Sequence, residues 1–273
     1  MNYGDSAMPP SKLLSLALVL GLVPALPATE VRTPGAGRPL TTDRPDSTES
    51  PFTVEPGRGQ LEMDFANHTR DRSGGATATE TEVAPFNLRF GVTRNFELGV
   101  FAPSRRWERE SSAAGPAARR SGWGDVVLRA KQNWMGNDGG FVATGTIVDL
   151  KLPTATGGLG NGKLEGEVMF PVAFAPGGNW HAGVMTAVAL VHDGNRYDTV
   201  WGNTVTCCFD LSPVWEGVVE LTSAAGEGTH AASFNCAIIR KLGPDMHLDA
   251  GVNFGISRNA PDLQFFAGLA RRF

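Results

Sequence analysis

The sequence predicts an all-β fold: a transmembrane antiparallel up-and-down β-barrel of about 12 strands, with short periplasmic turns and longer extracellular loops. From residue 58 on, a series of short runs alternates apolar and polar residues with a period of two, as in strands with one apolar face. Short turns alternate with longer polar stretches between these runs, an asymmetry typical of outer-membrane barrels. Aromatic residues gather near both ends of the predicted strands, where hydrocarbon meets water.

Residues 1–28 have the composition of a secretory signal peptide. Lys12 precedes the apolar run LLSLALVLGL, and the small residues of VPALPA follow it, which is the order of regions that such signals have. Cleavage after Ala25 or after Ala28 fits this pattern equally well. The apolar run is shorter than the ~20 residues that a spanning helix needs, so the sequence predicts export without a helical anchor.

Residues 29–57 are predicted to form an extended periplasmic segment ahead of the barrel. The stretch TTDRPDSTESPFTVEPGRG is rich in Pro, Thr and charged residues and shows no period of two. Asp43, Arg44 and Asp46 are candidates for a lumen plug, because they could fold back and pair with charges inside the barrel. The alternative interpretation is a loose periplasmic tail.

The barrel itself is predicted to occupy residues 58–273. In QLEMDF, which begins at Gln60, each polar residue is followed by an apolar one, and FNLRF and HLDAGVNFG repeat the pattern. The turns divide this region into strands at about 58–67, 80–91, 94–102, 122–134, 139–152, 163–175, 179–191, 199–210, 213–223, 230–241, 245–257 and 261–273. The polar stretches 68–79 and 103–121 are predicted to be long loops. An even number of strands lets the last strand pair with the first and leaves no open edge.

The aromatic residues predict where the membrane interfaces lie. One group stands beside the short turns, and a second stands toward the opposite rim. The first group is Phe96, Trp134, Trp180 and Trp215, and the second is Trp123 and Trp201. A soluble sandwich would have no reason to sort its tryptophans by height.

The polar face of the strands is predicted to line the lumen with charges of both signs. The candidate lumen-lining residues are Glu62, Asp64, Arg89, Glu97, Arg129, Lys131, Asp149, Lys151, Glu165, Glu167, Glu216, Glu220, Asp249 and Arg272. Such charges could set the selectivity of a pore. The alternative is a network of ion pairs that only fills the barrel, since an unpaired buried charge is unfavourable.

The chain also resembles a known family. The stretch TDRPDSTESPFTVEPGRGQLEMDF, the motif KLPT at 151–154 and LDAGVNFG at 248–255 are similar to bacterial outer-membrane proteins regarded as transporters or linked to the meta-pathway of phenol degradation. The resemblance covers about residues 42–273. It implies an outer-membrane channel of a Gram-negative bacterium that passes small, hydrophobic or aromatic solute molecules.

The last strand carries a further resemblance, to outer-membrane proteins whose chains end in phenylalanine. Leu263, Phe265, Ala267 and Leu269 share its apolar face, and Phe273 ends it. The resemblance implies that Phe273 is an assembly signal for the barrel-assembly machinery. Arg271 departs from the pattern, because it stands on the apolar face near the terminus, where it can reach the interface.

Outer-membrane lipid and lipopolysaccharide are the expected surroundings of such a barrel. Five arginines fall in the predicted loop 103–121, where they could bind phosphates of lipopolysaccharide. These are Arg105, Arg106, Arg109, Arg119 and Arg120. The alternative is a solvated loop. The net charge of −4 gives no reason to expect nucleic acid, which needs a basic face.

No catalytic, metal or cofactor site is predicted. The sequence has no G-x-S-x-G motif, its five histidines lack a serine partner in a recognisable motif, and GGLGNGK at 157–163 lacks the ending of a phosphate-binding loop. The three cysteines, Cys207, Cys208 and Cys236, show no metal-ligand spacing and are interpreted as small residues of the wall. Three other functions remain open: a closed structural or surface-interaction barrel, a membrane-embedded lipid hydrolase, and a soluble exported sandwich or lipocalin-like carrier.

Overall fold

In the part of the chain that the structure describes, residues 37–73, 75–102, 105–112 and 115–273 of a computed structural model, 15 β-strands form one antiparallel sheet. The predicted signal peptide lies outside these residues. The strands are β1 (Gly59–Ser73), β2 (Ala76–Val83), β3 (Phe86–Thr93), β4 (Phe96–Ala102), β5 (Arg105–Ser112), β6 (Gly115–Trp123), β7 (Val126–Met135), β8 (Val142–Leu152), β9 (Glu165–Phe174), β10 (Trp180–His192), β11 (Tyr197–Ser212), β12 (Trp215–Gly226), β13 (Thr229–Lys241), β14 (Met246–Gly255) and β15 (Leu263–Arg272).

The sheet closes into a barrel because β1 pairs with β15, from Gln60 opposite Arg272 to Arg70 opposite Leu263. Three pairs of strands continue one another along the wall: β2 with β3, β4 with β5, and β6 with β7. Ala84, with a φ of 55°, and Pro85, which has no N–H to donate, separate β2 from β3. Counted around the wall, the described strands form a closed 12-stranded barrel, as the sequence predicts.

The largest difference from the sequence prediction lies in the two polar stretches. Residues 68–79 and 103–121 are predicted as loops, but β1 continues to Ser73 and β5 and β6 form a hairpin in the second stretch. We call the upper part of β1 (66–73) with β2, β5 and β6 the β-extension. Both of its faces are polar, so its strands lack the alternation of apolar and polar residues from which the other strands can be predicted.

The two rims of the barrel differ. At the short-turn rim the connections are brief, as at 94–95, 213–214 and 242–245. At the opposite, long-loop rim lie the β-extension, the 153–164 connection between β8 and β9, and the 256–262 connection between β14 and β15. The predicted asymmetry of turns and loops is therefore present, although part of the long-loop rim is built from strands.

The distribution of apolar residues is the inverse of that in a soluble protein. Large apolar side chains such as Phe90, Leu98 and Val205 point outward and are about half exposed, whereas Arg89 and Lys131 point inward and are fully buried. Five of the six residues of the predicted aromatic belts are exposed on the outer face, namely Trp134, Trp180, Trp215, Trp123 and Trp201, and the sixth, Phe96, is partly exposed. In the described residues no helix is long and apolar enough to cross a membrane.

Candidate functional site

The candidate site is the interior of the barrel, and its short-turn half contains part of the chain itself. Residues 37–58, which we call the inner segment, precede β1 and run inside the wall. Gly91 of β3 allows the segment to enter, because a Cβ at this position would overlap the carbonyl oxygens of Val54 and Glu55. A short parallel bridge between Pro56 and Gly91 fixes the point of entry.

Asp43 is the centre of the largest ionic cluster. Its Oδ1 lies 2.6 Å from Nζ of Lys131, and its Oδ2 lies 3.3 Å from Arg89 and 3.5 Å from Arg129. Its backbone N–H donates to Glu62 at 3.0 Å. Burial alone would raise the pKa of Asp43, but the three cations around it hold this pKa well below its usual value.

Arg89 on β3 connects this cluster to carboxylates on the two neighbouring strands, β1 and β4. Its guanidinium donates to Glu62 at 2.7 Å and to Glu97 at 2.8 Å, and it also donates to the carbonyl oxygen of Phe52 at 3.0 Å. Glu97 in turn accepts from the backbone N–H of Val54 at 2.7 Å. The charged wall thus binds the backbone of the inner segment as well as its side chains.

Arg44 binds the wall where the first and last strands meet. It donates to both oxygens of Asp249, at 2.6 and 3.2 Å, and its Nη1 lies 2.5 Å from Asp64. Asp64, Gly268 and Asp249 are side by side on β1, β15 and β14. Only glycine fits between the two carboxylates, because a Cβ at Gly268 would meet the Arg44 guanidinium.

Glu220 holds the middle of the inner segment. Its carboxylate accepts from the backbone N–H groups of Ser47 at 3.0 Å and Thr48 at 2.7 Å, and from the Thr48 hydroxyl at 2.6 Å. Asn235 of β13 donates to the same carboxylate at 2.6 Å. Each oxygen of the Glu220 carboxylate therefore accepts two hydrogen bonds, which satisfies its four lone-pair positions.

Two other carboxylates of the inner segment have raised pKa values. Burial, followed by the nearby Glu220 charge, raises the pKa of Asp46 to about 8, and no ion pair with Asp46 occurs among the described residues. Burial raises the pKa of Glu49 to about 7, although Arg129 pairs with it at 2.6 Å and works in the opposite direction. These two groups can change charge near neutral pH.

The structure brings most of the candidate lumen residues onto the inner segment. Those in direct contact with it are Glu62, Asp64, Arg89, Glu97, Arg129, Lys131, Glu220, Asp249 and Arg272. Asp149 pairs with Arg129 at 2.7 Å. Lys151 pairs with Glu165 at 2.8 Å nearer the long-loop rim, and Glu216 pairs with Lys241 at 2.7 Å at the short-turn rim. Glu167 makes no ion pair in the described part of the chain and lines a cavity.

Several residues that hold the inner segment are absent from the sequence prediction. Asn133 donates to the carbonyl oxygen of Pro51 at 2.9 Å, and Asn137 accepts from the N–H of Thr53 at 2.9 Å. Arg38 donates to the carbonyl oxygens of Thr53 and Arg94. These partners are mostly backbone atoms, which carry no signal in the sequence. The amides on the polar face of β7 and in the turn after it were the only available indication.

Above the inner segment lies a cavity of 320 Å³. One part of its wall is apolar, with Met169, Met185 and Ala187 belonging to a buried cluster inside the barrel. Its floor is polar, since Ser47, Glu49 and Arg129 lie there, and small residues of β12 and β13 complete it. The sequence prediction named only the charges of this lumen and missed its apolar side.

A second cavity of 460 Å³ lies at the long-loop rim. Asp71 and Ser73 of the β-extension line it, as do Arg258 and Asn259 of the 256–262 connection. Ala224 and Ala231 line both cavities. The two spaces therefore adjoin, and together they extend from the long-loop rim to the inner segment.

Phe273 lies at the short-turn rim, where it closes the sheet. Its N–H and C=O exchange hydrogen bonds of 2.9 and 3.0 Å with Gly59 at the start of β1, and its side chain is 62% exposed. A Cβ at Gly59 would overlap the Phe273 ring. Arg271 is exposed on the outer face, in agreement with the predicted register.

The cysteines are free thiols. Cys208 points into the barrel beside Val218 and Ile239, whereas Cys207 and Cys236 occupy the alternate, outer face of their strands. One histidine has a serine neighbour that the sequence does not indicate. Ser223 Oγ lies 3.1 Å from Nε2 of the exposed His230.

Solved structures with this architecture are outer-membrane β-barrels. The β domain of the Bordetella autotransporter BrkA has 12% sequence identity and a TM-score of 0.52, over 80% of this chain and 100% of that chain. The NanC porin has 9% identity and a TM-score of 0.51, over 77% of this chain and 98% of that chain. At these identities the likeness establishes the fold alone.

Comparison of sequences gives a more specific result. A search of curated protein sequences finds no match. The family described as "Putative MetA-pathway of phenol degradation" matches residues 42–273, which is the same region that carries the resemblance in the sequence. The match includes the inner segment from Thr42 onward together with the whole barrel, and the chain therefore belongs to this family.

Proposed function

We propose that the protein is an outer-membrane channel for the passive passage of small apolar or aromatic molecules. The observation that carries this proposal is the 320 Å³ cavity with an apolar wall and a polar floor. An apolar cavity of roughly 150 Å³ is enough to bind benzene. The space is therefore suited to a single aromatic ring, and the floor could hydrogen-bond a hydroxyl group on that ring. The family description, which refers to phenol degradation, supports the same class of solute.

The route of passage enters at the long-loop rim and reaches the inner segment. Asp43, Arg44 and Asp46 are proposed to act as a plug together with the rest of residues 37–58. The ion pair of Asp43 with Lys131 and those of Arg44 with Asp249 and Asp64 support a docked segment that closes the short-turn half, whereas Asp46 contributes no ion pair among the described residues. The candidate lumen charges then serve mainly as the docking surface of the plug. Passage requires that the plug shift or that the solute leave through the wall.

A pair of matched variants tests the passage. Met185 points into the cavity and Val184 points outward to lipid on the same strand. In a deletion strain, Met185→Trp should reduce the initial uptake rate of labelled phenol at low concentration several-fold, because the indole fills the cavity. Val184→Trp should restore uptake like the unaltered gene. If the deletion strain takes up phenol at the full rate, or if folded Met185→Trp does so, the proposal is wrong.

A reversible cross-link tests the movement of the plug. The hydroxyl groups of Thr48 and Thr204 are 2.7 Å apart, so cysteines at these positions are placed to form a disulfide. In a background with Cys207, Cys208 and Cys236 replaced by serine, oxidation should abolish phenol uptake and a reductant should restore it. Uptake that is equally fast with the cross-link closed would exclude movement of the plug and favour lateral exit.

A closed structural or surface-interaction barrel is the main alternative. It is favoured by the complete ion pairing around Asp43 and Arg89. Planar-bilayer recordings of a variant that lacks residues 29–50 separate the two functions. A channel should give ion current in this variant, and a closed structural barrel should not. Unchanged conductance on deletion would exclude the plug.

A lipid hydrolase is favoured by one contact, between Ser223 and His230 on the exposed outer surface. A serine–histidine pair needs a third group that orients the ring and an oxyanion site. In the described residues no side chain hydrogen-bonds Nδ1 of His230. We therefore propose that the protein is not an enzyme. Phospholipase activity that disappears in Ser223→Ala would overturn this.

We propose that Phe273 presents the barrel to the barrel-assembly machinery in a Gram-negative outer membrane. The proposal rests on the exposed ring at the end of the last strand and on the resemblance described above. Phe273→Ala should lower the amount of heat-modifiable, folded protein in the outer membrane, while Phe265→Ala on the same face should lower it less. An equal amount of folded Phe273→Ala would contradict this role.

The β-extension is proposed to bind phosphates of lipopolysaccharide. Neighbouring residues of its strands point to opposite faces, and the charges are sorted between them. Arg70, Thr79, Arg109 and Arg119 form one cross-strand row on the outer face. The outer face also carries Arg72 and Arg105 with Trp107 and no carboxylate, whereas the inner face carries Asp71, Glu80, Glu82, Glu108 and Glu110.

Arg109 and Arg119 make no ion pair among the described residues, in contrast to Arg106 and Arg120, which pair with Glu82 and Glu108. Arg109→Ser with Arg119→Ser should weaken binding of purified lipopolysaccharide about tenfold. Arg106→Ser with Arg120→Ser removes the same charge from the inner face and should have little effect. Equal losses in the two pairs, or unchanged binding to dephosphorylated lipopolysaccharide, would contradict a phosphate site.

A further inference from the structure

Three metal-ligating side chains meet inside the barrel at the short-turn rim. His181 on β10, Cys208 on β11 and Glu216 on β12 each offer one donor atom, and these atoms lie within 4.8 Å of one another. His181 stands opposite Cys208 in the β10–β11 pairing, and Glu216 stands two residues from Val218, the partner of Cys208. The meeting results from strand register, so the spacing of these residues in the sequence gives no indication of it.

The types of donor match a particular class of ion. An imidazole nitrogen, a thiolate and a carboxylate are the ligands of Zn²⁺, which prefers four ligands in a tetrahedron. With bonds of roughly 2.0–2.3 Å, the ligand atoms of a tetrahedral site lie about 3.3–3.8 Å apart. Nε2 of His181 and Oε1 of Glu216 are already 3.7 Å apart, so only small side-chain rotations are needed to close the site.

The surroundings leave these donors accessible. Oε2 of Glu216 is occupied by Lys241 at 2.7 Å, which orients the carboxylate and leaves Oε1 on the side of His181. Cys208 is buried and free, and His181 is half exposed, so an ion can enter from the short-turn rim. All three donors lie on strands, whose backbone is already fixed, so binding of an ion needs to order only their side chains.

We propose that His181, Cys208 and Glu216 form a Zn²⁺ site with a fourth position open to water. Binding displaces the thiol proton of Cys208 to solvent, because the thiolate is the ligand. The site lies in the wall at the short-turn rim, below the solute cavity, and it does not depend on the proposed transport.

The test uses the full barrel, folded in detergent, and Co²⁺ as a spectroscopic substitute for Zn²⁺. Titration should produce a thiolate-to-cobalt charge-transfer band that added Zn²⁺ removes. Cys208→Ala should abolish the band, and His181→Ala or Glu216→Gln should weaken Co²⁺ binding at least tenfold. Cys207→Ala and Cys236→Ala are matched controls on the outer face and should leave the band unchanged.

Three results would overturn the proposal: no charge-transfer band in the unaltered protein, a band that persists in Cys208→Ala, or a band lost in Cys207→Ala or Cys236→Ala. Heat-modifiable gel mobility identifies the variants that remain folded. Glu216→Gln preserves the shape of the side chain, so it reports on the site even if the alanine variants fold poorly.

Discussion

Thr48 in the inner segment donates two hydrogen bonds to Glu220 on β12, from its backbone N–H at 2.7 Å and from its hydroxyl at 2.6 Å. The wall thereby binds both a backbone atom and a side-chain atom of the inner segment. These bonds hold Thr48 against β12, because moving the segment away from the wall would leave a buried carboxylate without its donors.

Replacement of Glu220 should release the middle of the segment. Hydrogen bonds to charged groups contribute roughly 1.5–3 kcal/mol each, so Glu220→Ala should raise the hydrogen-exchange rates of the Ser47 and Thr48 amides at least tenfold. Glu167→Ala is the control, since Glu167 lies in the same lumen without contacting these amides. Unchanged exchange in Glu220→Ala would mean that these bonds do not hold the segment.

Removal of Arg44 should destabilise docking by about 3–5 kcal/mol, because Asp64 and Asp249 would remain buried without a cation. The expected result is faster cleavage of the inner segment by a protease added to the folded barrel. Adding Asp64→Asn and Asp249→Asn to Arg44→Ala should recover part of the protection. Arg58→Ala is a suitable control, because Arg58 is 40% exposed and belongs to the same segment.

Docking should weaken as the pH rises from about 5 to 9. The pKa of Asp46 is about 8 when docked, against its ordinary value of 3.8. The docked form therefore holds the proton more tightly, and this contribution is full below pH 3.8 and is lost as the pH passes about 8. Glu49, with a docked pKa of about 7, acts in the same direction.

Protease sensitivity of the inner segment measures this pH effect. It should rise between pH 5 and pH 9 in the unaltered protein and stay nearly constant in Asp46→Asn with Glu49→Gln. Asp43 has a lowered pKa, so its contribution is present above its ordinary value and is lost only in acid. Sensitivity that falls with rising pH would contradict the assignment.

Gly91→Ala should displace the inner segment at its entry, because the new methyl group would overlap two carbonyl oxygens. Overpacking of this kind costs about 1–3 kcal/mol, which should appear as a lower thermal midpoint and greater protease sensitivity. Gly202→Ala adds the same atom to the cavity wall, where the nearest atom of Ala187 is 3.4 Å away, and should change both measurements little.

The sequence predicts the barrel wall well for a physical reason. A strand with lipid on one side and charges on the other alternates in hydropathy, so the inward direction of Glu62, Arg89 and Lys131 can be predicted residue by residue. The β-extension is not predictable in this way, because stretches such as RRWERE are polar on both faces.

The contacts between the inner segment and the wall are even less predictable from the sequence than the β-extension. Glu220 and Asn133 bind backbone atoms about 170 and 80 residues away in the chain, and the choice of partner depends on the path of the segment rather than on residue type. The zinc ligands likewise meet only through strand register. Asp43, Arg44 and Asp46 could be proposed as plug residues because their segment resembles the family's N-terminal motif and because charges inside a barrel need partners.

Arg44 lies against Gly268 and bonds to a carboxylate on each neighbouring strand, so it spans the line along which the two ends of the ribbon meet. Arg44 therefore couples docking of the inner segment to the stability of the β1–β15 closure. When the segment undocks, the closure loses the ion pairs that Arg44 makes on both sides of it. The barrel closure and the docked segment therefore share one residue, and undocking removes a contact that bridges β1 and β14 across β15.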